Sequence, residues 1–376
     1  MPRGPVYLGV AIGAAAAIGI LAAWPLGRPA AALDPPTGAV LSECDGPLSE
    51  LVIQYIPEAA ATVAPIYKQF LAYLPPDVTV HVVCPDRAAY DDLRSRVGAT
   101  ACTLSPVLTG HPITAWARDR WVALAPADAR SPTTLLHPRG EDNASAWPQR
   151  AGDQRVADDI ARALAPRVAA RKSPLYFDGG DFAADSATVF ATVDVALRNI
   201  QHTVKSRCEL TDSLARTLHR AVVLFEKAPS HHAGMYLMPI GHRTILVADP
   251  SLGLRALGGQ PLPAGVLPCG ADFSPQTQSL FDAVADRCTA EGYKVLRLPV
   301  IPGLDGRTYL TYVNVLLDDR PGRRTVYMPT YRGVEPLNAS AAAIWRSAGF
   351  DVRPVDCTGA YIHFGSLQCL VNVLRR

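Results

Sequence analysis

The sequence predicts an α/β fold of five hairpin–helix–strand repeats set in a five-fold pseudosymmetric propeller, and three observations carry that prediction. A β-hairpin, an amphipathic helix and a further strand recur along the chain, with unit starts near residues 116, 177, 232, 309 and 365. The final unit holds a single strand, and a helix and strand early in the chain supply what it lacks, so the ring closes on itself. Composition fits a packed body: of 376 residues, 49% are hydrophobic and 19% charged, which excludes a disordered chain.

Residues 1–32 come first. Arg3 precedes an uncharged run whose apolar body covers 6–24, and Ala30-Ala31-Ala32 offers a cleavage site. This is the pattern of a signal peptide or an N-terminal membrane anchor, and either one exports the rest of the chain. The expected location is therefore secreted, periplasmic or on the outer face of a membrane, with contact to the membrane only through that anchor. Residues 33–48 read as a linker, and 49–376 as a single folded domain.

Within that domain, apolar spacing predicts a helix over 66–74 and a strand over 78–83. The unit beginning at Trp116 has strands over 121–124 and 133–136, and a helix carrying Val156, Ile160 and Leu164. The next begins at Phe177, with a hairpin over 182–193, a helix with Leu214 and Leu218, and a strand over 222–225. The clearest unit begins at His232: strands over 235–240 and 244–248 flank a polar turn, then Ser274-Pro275 opens a helix that Gly292 closes. A strand over 294–300 completes it. The following unit has strands over 312–317 and 325–328, a helix through Trp345, and a strand over 351–355. The last is a strand over 367–374.

The 36 Lys and Arg nearly balance the 34 Asp and Glu, giving a net charge of +2, so nucleic acid is not an expected partner. No phosphate-binding glycine loop and no G-x-S-x-G elbow is present. The eight cysteines, at 44, 84, 102, 208, 269, 288, 357 and 369, show no metal-ligand spacing. No cofactor or metal is implied. Export makes disulfides permissible, with up to four bridges.

Polar residues gather at the unit starts: "WARDRW" at 116–121, "DGGD" at 178–181, "HAG" at 232–234, "YVN" at 312–314 and "GSLQC" at 365–369. In a ring of units the first strands converge. Asp119, Asp178 or Asp181, His232 and Cys369 then share one pocket, and an acid, a base and a thiol suit covalent catalysis at an electrophilic carbon. Strand alternation turns only one of His231 and His232 inward, and the pattern favours His232.

These motifs, in this order, resemble the guanidino-group-modifying enzymes of the pentein superfamily, in particular agmatine deiminases and bacterial peptidylarginine deiminases. The resemblance covers the chain from about residue 50 onward. It implies Cys369 as nucleophile, His232 as general acid and base, and Asp119 as guanidinium anchor. Trp116, Arg118, Asp178, Gly179, Gly180, Asp181 and Asn314 are the implied substrate-binding positions. The implied partner is a small guanidine or the arginine side chain of a peptide, and the implied reaction is hydrolysis of an amidine C–N bond. Amidino transfer and a non-catalytic binding role are the alternatives.

Two positions depart from the family pattern. Gln368 stands where the family has His before the cysteine. Gly234 stands where it has the second acid of H-x-D, a residue that would share a strand face with His232. Asp119 is then the main anion, and Gly234→Asp is expected to raise guanidine turnover.

Overall fold

The computed structural model describes residues 38–128, 130–141, 148–258 and 260–376. Among the described residues there are five separate sheets, and each contains an antiparallel strand pair extended by a parallel strand. The first joins Val122–Leu124, Thr133–His137 and Val168–Lys172. The second joins Phe182–Ala184, Thr188–Ala191 and Ala221–Leu224. The third joins Leu237–Pro239, Thr244–Asp249 and Lys294–Pro302, with Tyr309–Thr311 added at its edge. The fourth joins Leu316–Arg320, Arg323–Thr330 and Asp351–Asp356. In the fifth, Val371–Arg375 pairs antiparallel with Glu50–Gln54, which runs parallel to Thr79–Cys84, itself parallel to Thr103–Leu108.

A helix links the two parallel strands of every sheet, which is the crossover that parallel pairing demands. The local sequence stops and starts these helices as expected. The Ser274 hydroxyl accepts from the Thr277 amide at 3.2 Å with Pro275 in the first turn, and Asp86 and Ser206 cap two others. Apolar faces meet in a core that includes Tyr67, Phe70, Tyr236, Phe281 and Trp345, all fully buried. The Trp345 indole donates to the Tyr312 carbonyl at 3.0 Å.

Several boundaries differ from the sequence expectation. The strand Glu50–Gln54 is an addition: its ELVIQ run is buried on both faces, so it lacks the alternation that marks a half-exposed strand. Residues 38–48, expected in the linker, belong to the folded body. The Val40 amide donates to the Leu218 carbonyl at 3.0 Å, Leu41 to Ala123 at 2.9 Å and Glu43 to Ala184 at 2.8 Å. The expected export segment, 1–32, lies outside the described residues. Among the described residues no helix is long and apolar enough to cross a membrane.

The unit starts also differ. Residues 233–235 form a 3-10 turn and the strand begins at Leu237; 367–370 form one helical turn before the strand at Val371. Tyr309–Thr311 pairs with the preceding sheet, so the expected strand over 312–317 starts only at Leu316. All eight cysteines are free thiols, so the bridges that export would permit are not formed. Burial pushes the Cys44, Cys84, Cys288 and Cys357 thiols up to about 12, which makes them inert packing groups at neutral pH.

Candidate active site

The segments that precede the sheets converge on a cavity of about 600 Å³. Trp116 and Asp119 reach it from before the first sheet, Asp178 and Asp181 from before the second, His231 and His232 from before the third, and Cys369 from before the fifth. Asn314, before the fourth, touches the cysteine from behind. The backbone ties these segments to one another. The Gly179 amide donates to the Asp119 carbonyl at 2.7 Å, and the Arg118 amide to the Cys369 carbonyl at 3.2 Å.

Cys369 sits in the helical turn Leu367–Leu370, 3% exposed. The Asn314 amide nitrogen lies 3.5 Å from its sulfur and 3.1 Å from the Gly234 carbonyl, while the Asn314 oxygen accepts from the Gln368 amide at 3.0 Å. One side chain thus fixes the cysteine turn against the histidine turn. Gly365 is required for the same packing, because a Cβ there would lie 2.4 Å from the Trp116 ring.

His232 opens the 3-10 turn Ala233–Met235. Its imidazole rests on Gly180, where a Cβ would lie 2.4 Å from Nδ1, so the second glycine of D-G-G-D is the floor under the base. Nε2 is 3.9 Å from Asp178 Oδ2. Burial opposes charge on this ring, but the nearby Asp178 carboxylate, the contact with Cys369, and the charges of Asp119 and Asp181 outweigh it. They hold the His232 pKa well above the usual histidine value. His231 stacks on it with ring centroids 4.4 Å apart and also lines the cavity. Burial and the His232 charge push His231 down to about 3, so it stays neutral beside its charged neighbour. Both histidines face inward because residue 231 takes a left-handed φ of 79° ahead of a 3-10 turn, and strand alternation does not apply.

The acids divide by environment. Burial would raise the Asp178 carboxyl, but His232, Arg198 and Arg120 hold it well below the usual range. Arg198 Nη1 is 2.8 Å from its Oδ2 and Arg150 Nη2 is 3.3 Å from its Oδ1. Burial pushes Asp119 and Asp181 upward. Asp181 is committed to structure, since it pairs with Arg198, accepts from the Asp178 amide at 2.6 Å and from Thr192 at 3.2 Å.

Four implied substrate-binding positions lie elsewhere. Arg118 points away and is buried against Glu43, the Phe182 carbonyl at 3.2 Å and Asn372 at 3.3 Å. Gly179 and Gly180 are packing positions: a Cβ on Gly179 would meet the Arg118 carbonyl oxygen at 2.2 Å. Asn314 is 1% exposed and holds the cysteine without lining the cavity.

Gly234 also differs from expectation. It belongs to the 3-10 turn, and the space where a side chain would grow is taken by Gln368, whose Oε1 lies 2.1 Å from the Cβ position. Gln368 in turn donates to Glu43 at 3.2 Å. An acid at 234 would collide with Gln368, so the two positions that depart from the family pattern pack against each other. Sequence reasoning missed Arg150, Arg198 and Arg307 in the cavity wall. Arg150 and Arg198 come from helices inside units, where nothing local marks them.

No family model matches the chain, and no curated protein matches it. Solved structures do. Agmatine deiminase from C. jejuni superposes with a TM-score of 0.66 at 14% identity, over 89% of this chain and 95% of that one. The chain has the agmatine deiminase fold. Agmatine deiminase of Enterococcus faecalis gives 0.62 at 14% identity, over 90% and 94%. A protein provisionally assigned as a peptidyl-arginine deiminase gives 0.65 at 16% identity, over 90% and 99%. The pentein resemblance of the motifs is thus matched by a deiminase fold across nine-tenths of the chain, and four of the five unit starts that carry those motifs line the cavity.

Proposed function

We propose that this protein is an exported deiminase-type hydrolase of a guanidino compound, either a free one such as agmatine or an arginine side chain in a peptide, built as a five-fold pseudosymmetric propeller. One observation carries the reading: a thiol, an imidazole and carboxylates from four different units line a single cavity. The fold shared with agmatine deiminases supports it.

In this reading the Cys369 thiolate, stabilised by the adjacent His232 imidazolium, attacks the guanidinium carbon and forms a C–S bond. His232 gives its proton to the departing nitrogen, which leaves as ammonia with the C–N electron pair. Neutral His232 then takes a proton from water as hydroxide adds to the thiouronium carbon. The C–S bond breaks, the thiolate is restored, and guanidinium plus water has become a ureido product plus ammonium. Asp119 and Asp178 hold the cationic substrate in place.

The test is ammonia release from agmatine, free arginine and an arginine-containing peptide, comparing wild type with Cys369→Ala. Ammonia and a ureido product from wild type alone are expected. Equal release from both proteins would sink the mechanism. Export is tested by fractionating cells that express the full chain: recovery in the cytosol alone would overturn it.

A further inference from the structure

The two acids that would grip a substrate guanidinium already hold one. Arg150, on the short helix Pro148–Asp153, donates from Nη1 to Asp119 Oδ2 at 3.2 Å and from Nη2 to Asp178 Oδ1 at 3.3 Å. It lines the cavity with 29% of its side chain exposed. We propose that Arg150 is a built-in competitor for the guanidinium subsite: it occupies Asp119 and Asp178 in the free protein, and an incoming guanidine must exchange for it. This rests on the guanidine-hydrolase reading and adds the residue that sets how tightly such a substrate is held.

Glu141 makes the exchange feasible. It faces the other edge of the same guanidinium, with Arg150 Nε 3.3 Å from Oε2 and Nη2 3.1 Å from Oε1. A two-point ion pair of this kind is self-sufficient for an arginine. Arg150 can therefore release Asp119 and Asp178 while remaining paired to Glu141, a carboxylate it shares with the buried Arg120. Asp178 likewise keeps Arg198 on its other oxygen at 2.8 Å. What changes hands is Asp119 and Asp178 Oδ1, an oxygen that Arg120 Nη1 also faces at 3.5 Å and keeps facing throughout. The substrate offers those oxygens a group of the same charge, shape and donor count, so direct competition results.

The cost appears in affinity. A site open in only one molecule in ten binds tenfold more weakly than its intrinsic constant, and one open in one in a hundred, a hundredfold. Removing Arg150 is expected to tighten guanidine binding about tenfold to a hundredfold.

Calorimetric titration with agmatine and with free arginine tests this in a Cys369→Ala background, where binding is read without turnover. Arg150→Ala and Arg150→Gln are compared with the parent, and thermal melts report whether each variant is folded. Tighter binding by at least tenfold in a folded variant supports the proposal. Unchanged or weaker binding overturns it and makes Arg150 part of the site's framework. Steady-state ammonia release with Cys369 intact separates the two ideas. Turnover by wild type that is lost in Arg150→Gln refutes the competitor while leaving the hydrolase reading in place. A silent wild type with an active Arg150→Gln supports the competitor and makes the resting protein self-inhibited. Absence of binding and turnover in every folded variant overturns both.

Discussion

Replacing Gly234 by alanine adds one methyl group, and the structure says where it goes. The new Cβ would lie 2.1 Å from Gln368 Oε1 and 3.4 Å from Asn314 Nδ2. Gly234 has no left-handed φ, so the backbone itself accepts alanine and the whole cost is packing. Gln368 cannot simply swing away: it is 3% exposed, and its amide nitrogen is held by the buried Glu43 carboxylate at 3.2 Å. Overpacking costs about 1–3 kcal/mol. Losing a hydrogen bond to a charged group adds about 1.5–3 kcal/mol. The expected destabilisation is about 2.5–6 kcal/mol, large for a single methyl group. Gln368→Ala opens the space, so in that background Gly234→Ala should cost less than about 1 kcal/mol. The pair should therefore show a coupling energy above about 1.5 kcal/mol in a double-mutant cycle read from urea denaturation midpoints. Single-variant costs that simply add, within about 0.5 kcal/mol, would refute the claim that Gln368 fills the place of a side chain at 234. The same geometry reverses the sequence expectation for Gly234→Asp, which should lower stability and bring no gain in guanidine turnover unless Gln368 is also shortened.

Gly180→Ala should push His232 off its floor, since the added Cβ would sit 2.4 Å from Nδ1; turnover should fall about 100-fold or more, and the His232 titration followed by NMR should move down toward the ordinary histidine value as Asp178 is lost. Asn314→Ala removes the groups that meet Cys369 Sγ, the Gly234 carbonyl and the Gln368 amide; it should cost about 2–3 kcal/mol in urea melts and reduce kcat far more than it changes KM. Asp153, fully buried beneath Thr114 and Gln54, is raised by burial from 3.8 to about 6. An acid with a raised folded pKa favours folding at low pH and loses that contribution as pH climbs through the folded value. At about 1.4 kcal/mol per pH unit the span is worth about 3 kcal/mol, so Asp153→Asn should flatten the stability decline between pH 4 and pH 6; an unchanged slope would remove Asp153 as its source.

The sequence revealed the repeat because each unit is punctuated chemically. Ser274-Pro275 opens a helix, Gly292 closes it, and alternating apolar residues mark the strands on either side. The thiol, the imidazole and Asp119 could be assigned to one pocket for the same reason, since each precedes a legible strand. What misled was treating the unit starts as strands. His232-Ala233-Gly234 and Leu367–Leu370 are turns, so period-two facing fails there, and it mispredicted His231 and Gly234 alike. Arg118 sits in the W-x-R-D motif, yet it serves Glu43, a residue from a stretch that read as linker. Arg150 could not be found at all, because its meaning depends on Asp119 and Asp178, which reach it from two other segments.

The pairing of Val371–Arg375 with Glu50–Gln54 joins segments more than 300 residues apart. The candidate nucleophile stands at the head of that late strand. A ribosome must therefore finish four units before Cys369 meets His232, and no shorter chain brings the two together. The entropic toll of so long a closure rises only with the logarithm of its length. A circular permutant that fuses these two strands through a short hairpin and opens the chain between other units should therefore keep the pocket and fold faster, since its most distant contact becomes a local one.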